Sequence, residues 1–377
     1  MPKIILDVMG GDRGPRATLE GALQALPELA GELVLVGDEK LILNVLAKRH
    51  YKLLSHAMTA PNAKCRVHVV HAPESIDMDE KIKSIRSKPG ASINVGCRLA
   101  RDSWTDWKTA GKSPAAFISA GHSGAMMASA FLNMGRLKGA DRPAIAVRLP
   151  SLSDDGCVVL DVGANIECKP ENLRDFAIMG ALYAQANRKQ SSLPKVAVLS
   201  NGEERTKGNE LTRAAVDLIE KLPCFSSGSS GENAIGTFIG YAEGKEIFKG
   251  QVDVMVTDGF SGNLVLKSAE GLGSAIVKIL KDEAKSNPLA MIGLLIAAPV
   301  LKRLKKKLDY AETGAAPLLG IAGYAFVAHG RSNAKAIKNS LLNAQSALQS
   351  RFVERMEDAL ALTAKSPELA PTAASPN

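Results

Sequence analysis

The chain has 377 residues, 46% hydrophobic and 23% charged, a globular composition long enough for one large or two ordinary domains, which excludes wholesale disorder. Its formal charge of +8 points to an anionic partner, whether nucleic acid, an anionic substrate or an anionic membrane. The run Lys302, Arg303, Lys305, Lys306 and Lys307 accounts for all but +3 of that surplus, so most of the excess is local.

The N-terminal MPKIILDVMGGD has one Lys and an apolar run that stops at Asp7, which is not the pattern of a signal peptide. That run opens a series: KIILDVMGGD, ELVLVGDE, AFISAGHSGA, CVVLDVGAN, VAVLSNGEE and VDVMVTDGFSGN. Continuous apolar runs ending in Gly, Asp, Asn or Ser predict strands buried on both faces of a parallel sheet. Helical patterns follow at 17–26, 124–133, 172–187, 209–221 and 262–280, so the expected class is α/β. In such folds ligands lie beyond the carboxyl ends of the strands, where helix N-termini offer free amides to anions.

The first loop reads GGDRGP from Gly10 to Pro15 and lacks GxGxxG; GxxxxGK[ST] is also absent, which disfavours an ordinary NAD-binding domain and a P-loop kinase. His68 and His71, three apart on a strand, face opposite sides and are not expected to pair on a metal. The cationic segment KIKSIRSKPGAS carries Lys83, Arg86 and Lys88, read either as a docking rim for an acidic partner or as a solvated face. Five dispersed cysteines without CxxC fit reduced thiols in a cytosol. No cofactor or metal is expected.

Gly121-His122-Ser123-Gly124-Ala125 follows a strand and opens a helix. It admits two readings: a serine nucleophile elbow, with His329 as base and Asp258 as orienter, or a turn whose small residues let backbone amides cradle a phosphate. SNGEERTKGNEL brings Asn201, Glu204, Lys207 and Asn209 to a helix mouth, and TDGFSGNLVLK brings Asp258, Ser261 and Asn263. Lys207 suits a phosphate or oxyanion as a point charge, and Asn263 as a hydrogen-bond donor; the bland alternatives are a surface lysine and a helix N-cap.

Residues 281–309 break the rhythm. PLAMIGLLIAAPVL lacks alternation and is too short and Pro-interrupted to span a bilayer. KRLKKKLD follows, with Leu301, Leu304 and Leu308 on one face of a basic helix. An apolar wedge beside lysines suits an anionic membrane surface, with Leu294, Leu295, Ile296, Leu301, Lys302, Arg303, Leu304, Lys305 and Lys306 in contact; an oligomer contact is the other reading. The Pro/Ala/Ser-rich end, 365–377, is expected to be a disordered tail after one α/β domain over 1–364.

With LDVMGGDRGP, FISAGHSGAMMA, LDVGAN, SNGEERTKGNEL, TDGFSGNLVLK and YAETGAAPLLGIAGYAFVAHGRSNAKAIKN in this order, the chain resembles the PlsX family of acyl-ACP:phosphate acyltransferases of bacterial phospholipid synthesis over about residues 3–352. It departs at His122, Ser123 and Gly314-Ala315, where that family more often has Asn, Thr and Gly-Gly. The resemblance implies a Rossmann-like α/β/α sandwich of the isocitrate dehydrogenase and phosphotransacetylase type with a helical excursion, here 281–309. It implies a homodimer attached to the cytoplasmic face of the membrane that converts fatty acyl carrier protein and phosphate to acyl phosphate and free carrier. The product would feed a membrane acyltransferase, and no nucleic acid is implied. By the same resemblance Lys207 and Asn263 are assigned to catalysis, and Asp7, Gly10, Gly11, His122, Ser123, Gly124, Asp161, Gly163, Asn165, Asn201, Asn209, Asp258 and Gly262 to the phosphate and pantetheine cleft. Asp7 and Asp161 are expected to orient loops, since carboxylates repel phosphate. A serine hydrolase and a non-catalytic carrier-binding module remain the rival classes.

Overall fold

A computed structural model describes residues 1–60, 62–225, 234–286, 288–308 and 314–363, with the side chains at 286, 288, 290, 295 and 304–308 outside the described set. The expected tail, 365–377, lies outside the described residues.

The first half runs β1 (Lys3–Asp7), α1 (Arg16–Ala25), β2 (Gly31–Gly37), α2 (Glu39–Leu46), α3 (Lys52–Thr59), β3 (Cys65–His71), α4 (Ser84–Ser87), α5 (Ser92–Ala110), β4 (Ala115–Ser119) and α6 (Ser123–Asn133). It continues with β5 (Ala144–Ile145), β6 (Val147–Leu149), β7 (Cys157–Leu160), α7 (Pro170–Asn187), β8 (Lys195–Leu199), α8 (Glu210–Glu220), β9 (Thr237–Ala242), α9 (Glu246–Lys249) and β10 (Val254–Val256). Three helices follow, α10 (Gly259–Ser286), α11 (Pro288–Ile296) and α12 (Ala298–Leu308), before β11 (Ala316–Leu319), β12 (Tyr324–Val327), α13 (Ala334–Ser350) and α14 (Phe352–Thr363).

The strands form two sheets, of order β3-β2-β1-β4-β12-β11-β5 and β6-β7-β10-β8-β9. Each has a parallel core, β3 to β12 in the first and β7 to β9 in the second. Alternate strand residues enter opposite layers. Ile4, Leu6 and Ile118 pack with Leu19 of α1 and Ile337 of α13, whereas Ile5 and Phe117 pack with Ile93 and Cys97 of α5 and Met126 of α6. In the second sheet Val158, Val196 and Val254 face Phe176 of α7 and Val216 of α8, while Val159, Ala197 and Met255 face Ile247 of α9. The result is an α/β/α sandwich, as the apolar runs predict.

One segment belongs to both sheets. Residues 144–149 pair through β5 with β11 and through β6 with β7, both antiparallel. In the first sheet Ser119 pairs with Val327 and Val327 with Ala316, level with the Ala146 amide that donates to the Pro317 carbonyl at 3.1 Å. In the second, Val159 pairs with Val147 and the Val162 amide donates to the Ile145 carbonyl at 3.1 Å. The carboxyl ends of both parallel sets therefore meet at residues 145–147. An edge-to-face aromatic chain adds a second tie between the halves: Trp104 of α5, Tyr324 of β12, Phe352 of α14 and Tyr183 of α7, with centroids 6.4, 5.4 and 5.4 Å apart.

The helix after β10 extends to Ser286, past the predicted 280, because KDEAKS contains good helix formers and the next proline is Pro288. It starts against the second sheet so closely that a Cβ at Gly262 would stand 1.9 Å from the Asp161 carbonyl oxygen and 3.0 Å from Thr257 Cγ2.

Two consequences are testable. Gly262→Ala is expected to destabilise the protein by about 1–3 kcal/mol through overpacking, read by urea denaturation. Asp175 of α7 accepts both Arg174 Nε (3.0 Å) and Nη2 (2.7 Å) and the Asp141 amide (3.4 Å) just ahead of β5. Burial still raises its carboxyl to about 6, against the pull of Arg174. Between an unfolded value near 3.8 and about 6 the folded chain holds the extra proton, so this group's contribution to stability falls as pH rises through that window. Asp175→Asn is expected to remove that slope, seen as the wild type losing stability relative to the variant when both are denatured in urea from pH 4 to 7.

Candidate active site

Three loops issue from the carboxyl edge of the first sheet, after the adjacent strands β1, β4 and β12. The Asp7 carboxylate is buried at the end of β1; Oδ1 accepts the amides of Met9 (3.1 Å) and Gly10 (3.2 Å), and Oδ2 accepts Ser119 Oγ at 2.7 Å. Ser119 Oγ in turn accepts the Gly121 amide at 3.1 Å, which fixes the β1 loop to the β4 loop. Burial raises the Asp7 carboxyl above its ordinary value, with these hydrogen bonds acting in opposition. The Asp12 amide donates to the Gly330 carbonyl at 2.9 Å and brings in the β12 loop. Gly11, at φ +90°, turns the chain where any side chain would press on the Gly330 and Ala120 carbonyls.

His122, Ser123 and Gly124 open α6. His122 is the N-cap: Nδ1 accepts the Ala125 amide at 3.2 Å, which places the ring proton on Nε2. Ser123 is exposed and engages no base among the described residues. His329 Nδ1 accepts the Arg331 amide at 3.1 Å, and both Asp258 carboxylate oxygens are held by Ser261. The hydrolase constellation of Ser123, His329 and Asp258 is therefore not assembled: the orienter caps its own helix on the other sheet.

The second sheet supplies the loops after β7, β8 and β10, which are neighbours because β10 lies between the other two. Asp161 is fully buried. Its Oδ1 accepts the amides of Ile145 (3.1 Å), Gly163 (3.1 Å) and Ala164 (3.0 Å), and Oδ2 accepts the Asn165 amide (2.6 Å) and Nδ2 (2.9 Å). Burial raises this carboxyl too, opposed by the hydrogen bonds. Asn165, also buried, donates to the Pro143 carbonyl at 2.7 Å, and its own carbonyl accepts the Gly259 amide at 2.7 Å at the start of α10.

Asp258 Oδ1 takes the Ser261 amide (2.8 Å) and Oδ2 the Ser261 hydroxyl (2.8 Å), so Asp258 is the cap. Asn263 lies one turn inside α10, exposed, so the N-cap alternative for it is incorrect. Its side chain passes Gly163, whose Cβ position would be 3.8 Å from Asn263 Oδ1.

After β8, Asn201 Oδ1 accepts the Gly208 amide at 3.0 Å, and Asn209 caps α8 through the Thr212 amide at 2.9 Å. The Lys207 stem folds over Gly202, where a Cβ would meet Lys207 Cγ at 2.7 Å. Its exposed ammonium forms no ion pair among the described residues.

The predicted residues thus fall into two classes. Asp7, Asp161 and Asn165 are buried and hydrogen-bonded to loop backbone, the placement of residues that orient the loops. Lys207, Asn263, Ser123 and the first turns of α6, α8 and α10 face outward. Sequence reasoning missed Ser119, the strand-ending serine that joins two loops. In the rim cluster the Lys88 ammonium binds Glu80 (2.6 Å) and the Ser75 carbonyl (3.1 Å), whereas Lys83 and Arg86 are exposed. The described residues hold no group of three or more His, Cys, Asp or Glu suited to a metal. Burial pushes the Cys65 thiol up to about 11 and Cys97 to about 12, which makes neither a ready nucleophile.

Two solved structures share the fold: a phosphotransacetylase from Staphylococcus aureus (TM-score 0.53, 15% identity, covering 92% of this chain and 94% of that one) and one from Streptococcus pyogenes (TM-score 0.53, 16%, 93% and 94%). Among curated relatives, proteins named phosphate acyltransferase from Pelotomaculum thermopropionicum and Myxococcus xanthus are each 42% identical, over 360 residues (95% of both chains) and 344 residues (90% of this chain and 88% of that one). A family model described as fatty acid synthesis protein matches residues 2–355. With that match and those relatives, the chain belongs to the fatty acid synthesis protein family, the phosphate acyltransferases that its motifs resemble.

Proposed function

We propose that the chain transfers a fatty acyl group from the thioester of acyl carrier protein to inorganic phosphate. An oxygen of hydrogen phosphate attacks the thioester carbonyl, the carbon–oxygen bond forms and the carbon–sulfur bond breaks. The phosphate proton ends on the departing thiolate, which gives acyl phosphate and carrier thiol. Phosphate is already nucleophilic and a thiolate of pKa near 8.5 leaves readily, so no serine relay is needed. What the reaction needs is two anions, the phosphate and the oxyanion of the tetrahedral intermediate, held together.

The observation that carries this reading is the meeting of two sets of carboxyl-end loops at residues 145–147, with the strand-ending Asp7 and Asp161 carboxylates buried on loop backbone and Lys207 exposed on the β8 loop. Lys207 and Asn263 donate to phosphate or oxyanion, and fixed donors of this kind contribute about 2.7–4 kcal/mol each. Gly10, Gly11, Gly124, Gly163, Gly262, Asn201 and Asn209 shape the turns; His122 serves as a cap. Residues 1–364 act as one catalytic unit.

Lys83 and Arg86 meet the acidic carrier. Phe260, Leu264, Leu272, Ile276 and Ile279 are exposed along α10 at helical spacing, which supports a homodimer through this helix. No helix among the described residues is long and apolar enough to cross a membrane. Exposed Leu289, Ile292 and Ile296 of α11, beside exposed Lys302 and Arg303 of α12, support peripheral contact with anionic lipid, where a membrane acyltransferase would take the acyl phosphate. Leu294 and Leu301 are half-buried there; the side chains of Leu295, Leu304, Lys305 and Lys306 lie outside the described residues.

Fatty-acylated acyl carrier protein incubated with and without phosphate, followed by free carrier thiol, tests the reaction. Phosphate-dependent release is expected, reduced at least about tenfold by Lys207→Ala and by Asn263→Ala with folding intact. Ser123→Ala is expected to retain most activity; an acyl-serine adduct in mass spectra would replace this mechanism with a hydrolase, and phosphate-independent binding alone would leave a carrier-binding module. Polar replacement of Leu294, Leu295 and Ile296 is expected to release the protein from anionic liposomes and spare turnover of soluble substrate.

A further inference from the structure

Between β3 and α5 the chain makes a closed loop over residues 74–90. Its ends are joined: Glu74 Oε2 accepts the Gly90 amide at 2.9 Å, and the Glu74 carbonyl accepts the Ser92 amide at 3.0 Å. Its middle is held by Lys88, which reaches the Ser75 carbonyl and Glu80, by Ile85 in the core, and by Asn94, whose Nδ2 donates to the Ile85 and Lys88 carbonyls at 2.9 and 2.8 Å. The Lys88 hydrogen bond holds the Glu80 carboxyl down to about 2. A compact surface loop fastened at so many points presents its remaining side chains in fixed places.

Two of those are large and apolar, Met78 at 38% exposure and Ile82 at 48%. Both lie against bare backbone of the anion turns. A Cβ at Gly330 would meet Met78 Cε at 2.5 Å, and one at Gly124 would meet Ile82 Cδ1 at 2.8 Å. In the same loop Lys81, Lys83 and Arg86 are exposed. A phosphate-binding turn has no need of half-exposed apolar neighbours. A substrate with an anionic reacting centre, an apolar chain and an acidic carrier meets all three features at one place.

We infer that Met78 and Ile82 form an apolar lip that positions the acyl chain of the thioester at the mouth of the phosphate cleft, and so set preference for long chains. The inference rests on the acyl-transfer reading above. Each methylene removed from water strengthens binding about fourfold, so the lip acts on long acyl groups and leaves the shortest nearly untouched.

The test compares palmitoyl and butyryl carrier protein with the double variant Met78→Ser, Ile82→Ser. Expected is a loss of at least about tenfold in kcat/KM for palmitoyl and less than about threefold for butyryl, with the KM for phosphate unchanged and with recovery in Met78→Leu, Ile82→Val. Equal loss for both substrates, or a raised KM for phosphate, would overturn the lip and leave a merely structural loop. A binding arm, palmitoyl carrier against unacylated carrier, covers an enzyme without phosphate-dependent turnover: that result sinks the acyl-transfer reading, while the lip stands if the variant loses the preference for palmitoyl carrier and falls if the preference persists.

Discussion

A single buried carboxylate holds the cleft together. Asp161 accepts five hydrogen bonds from four residues, and one of the donors, the Ile145 amide, belongs to the segment shared by both sheets. Burying such a group is costly unless its lone pairs are filled, and here they are filled by backbone whose position the site needs fixed. Through Asn165 the same network reaches the Pro143 carbonyl ahead of β5 and the amide that starts α10. The β7 turn, the crossing strand and the helix bearing Asn263 are thus set by one anchor. Asp7 does the same in the first sheet, with Ser119 relaying its hold to the next loop.

This arrangement resolves an electrostatic problem. In the proposed reaction a cleft for two anions must keep carboxylates from repelling them, and the strand-ending aspartates are buried on amides instead. Among the exposed groups of these loops Lys207 is cationic and the first turns of three helices are dipolar, with Glu204 and Glu210 exposed on the same β8 loop and helix start. His122, Asn209 and Asp258 each satisfy one amide of those turns and leave others pointing out.

Apolar runs and polar loop ends were enough to read an α/β fold and to find the loops, because burial on both faces of a parallel strand leaves a local mark. The partition into two sheets left none. AIAVRLP looks like one strand, and only distant partners divide it, with β11 taking its start and β7 its end. Local spacing left a helix cap open as the alternative role of Asn263, and the structure gives that cap to Asp258, which stands at the position before the helix. Lys88 looked like a free cation because Glu80 is not at helical spacing within a helix, yet the closed loop brings them together. Met78 and Ile82 gave no signal at all, for their neighbours are glycines from elsewhere in the chain.

The shared segment also fixes an order of assembly. The second sheet draws all its strands from residues 147–256, a continuous stretch. The first sheet begins at residue 3 but has β12 next to β4, so Ser119 waits for Val327. A chain emerging from the ribosome can therefore finish the second sheet first, and the apolar edge of β4 stays unpaired until residue 327 has been made, a long-range closure that slows folding and leaves a strand edge open meanwhile.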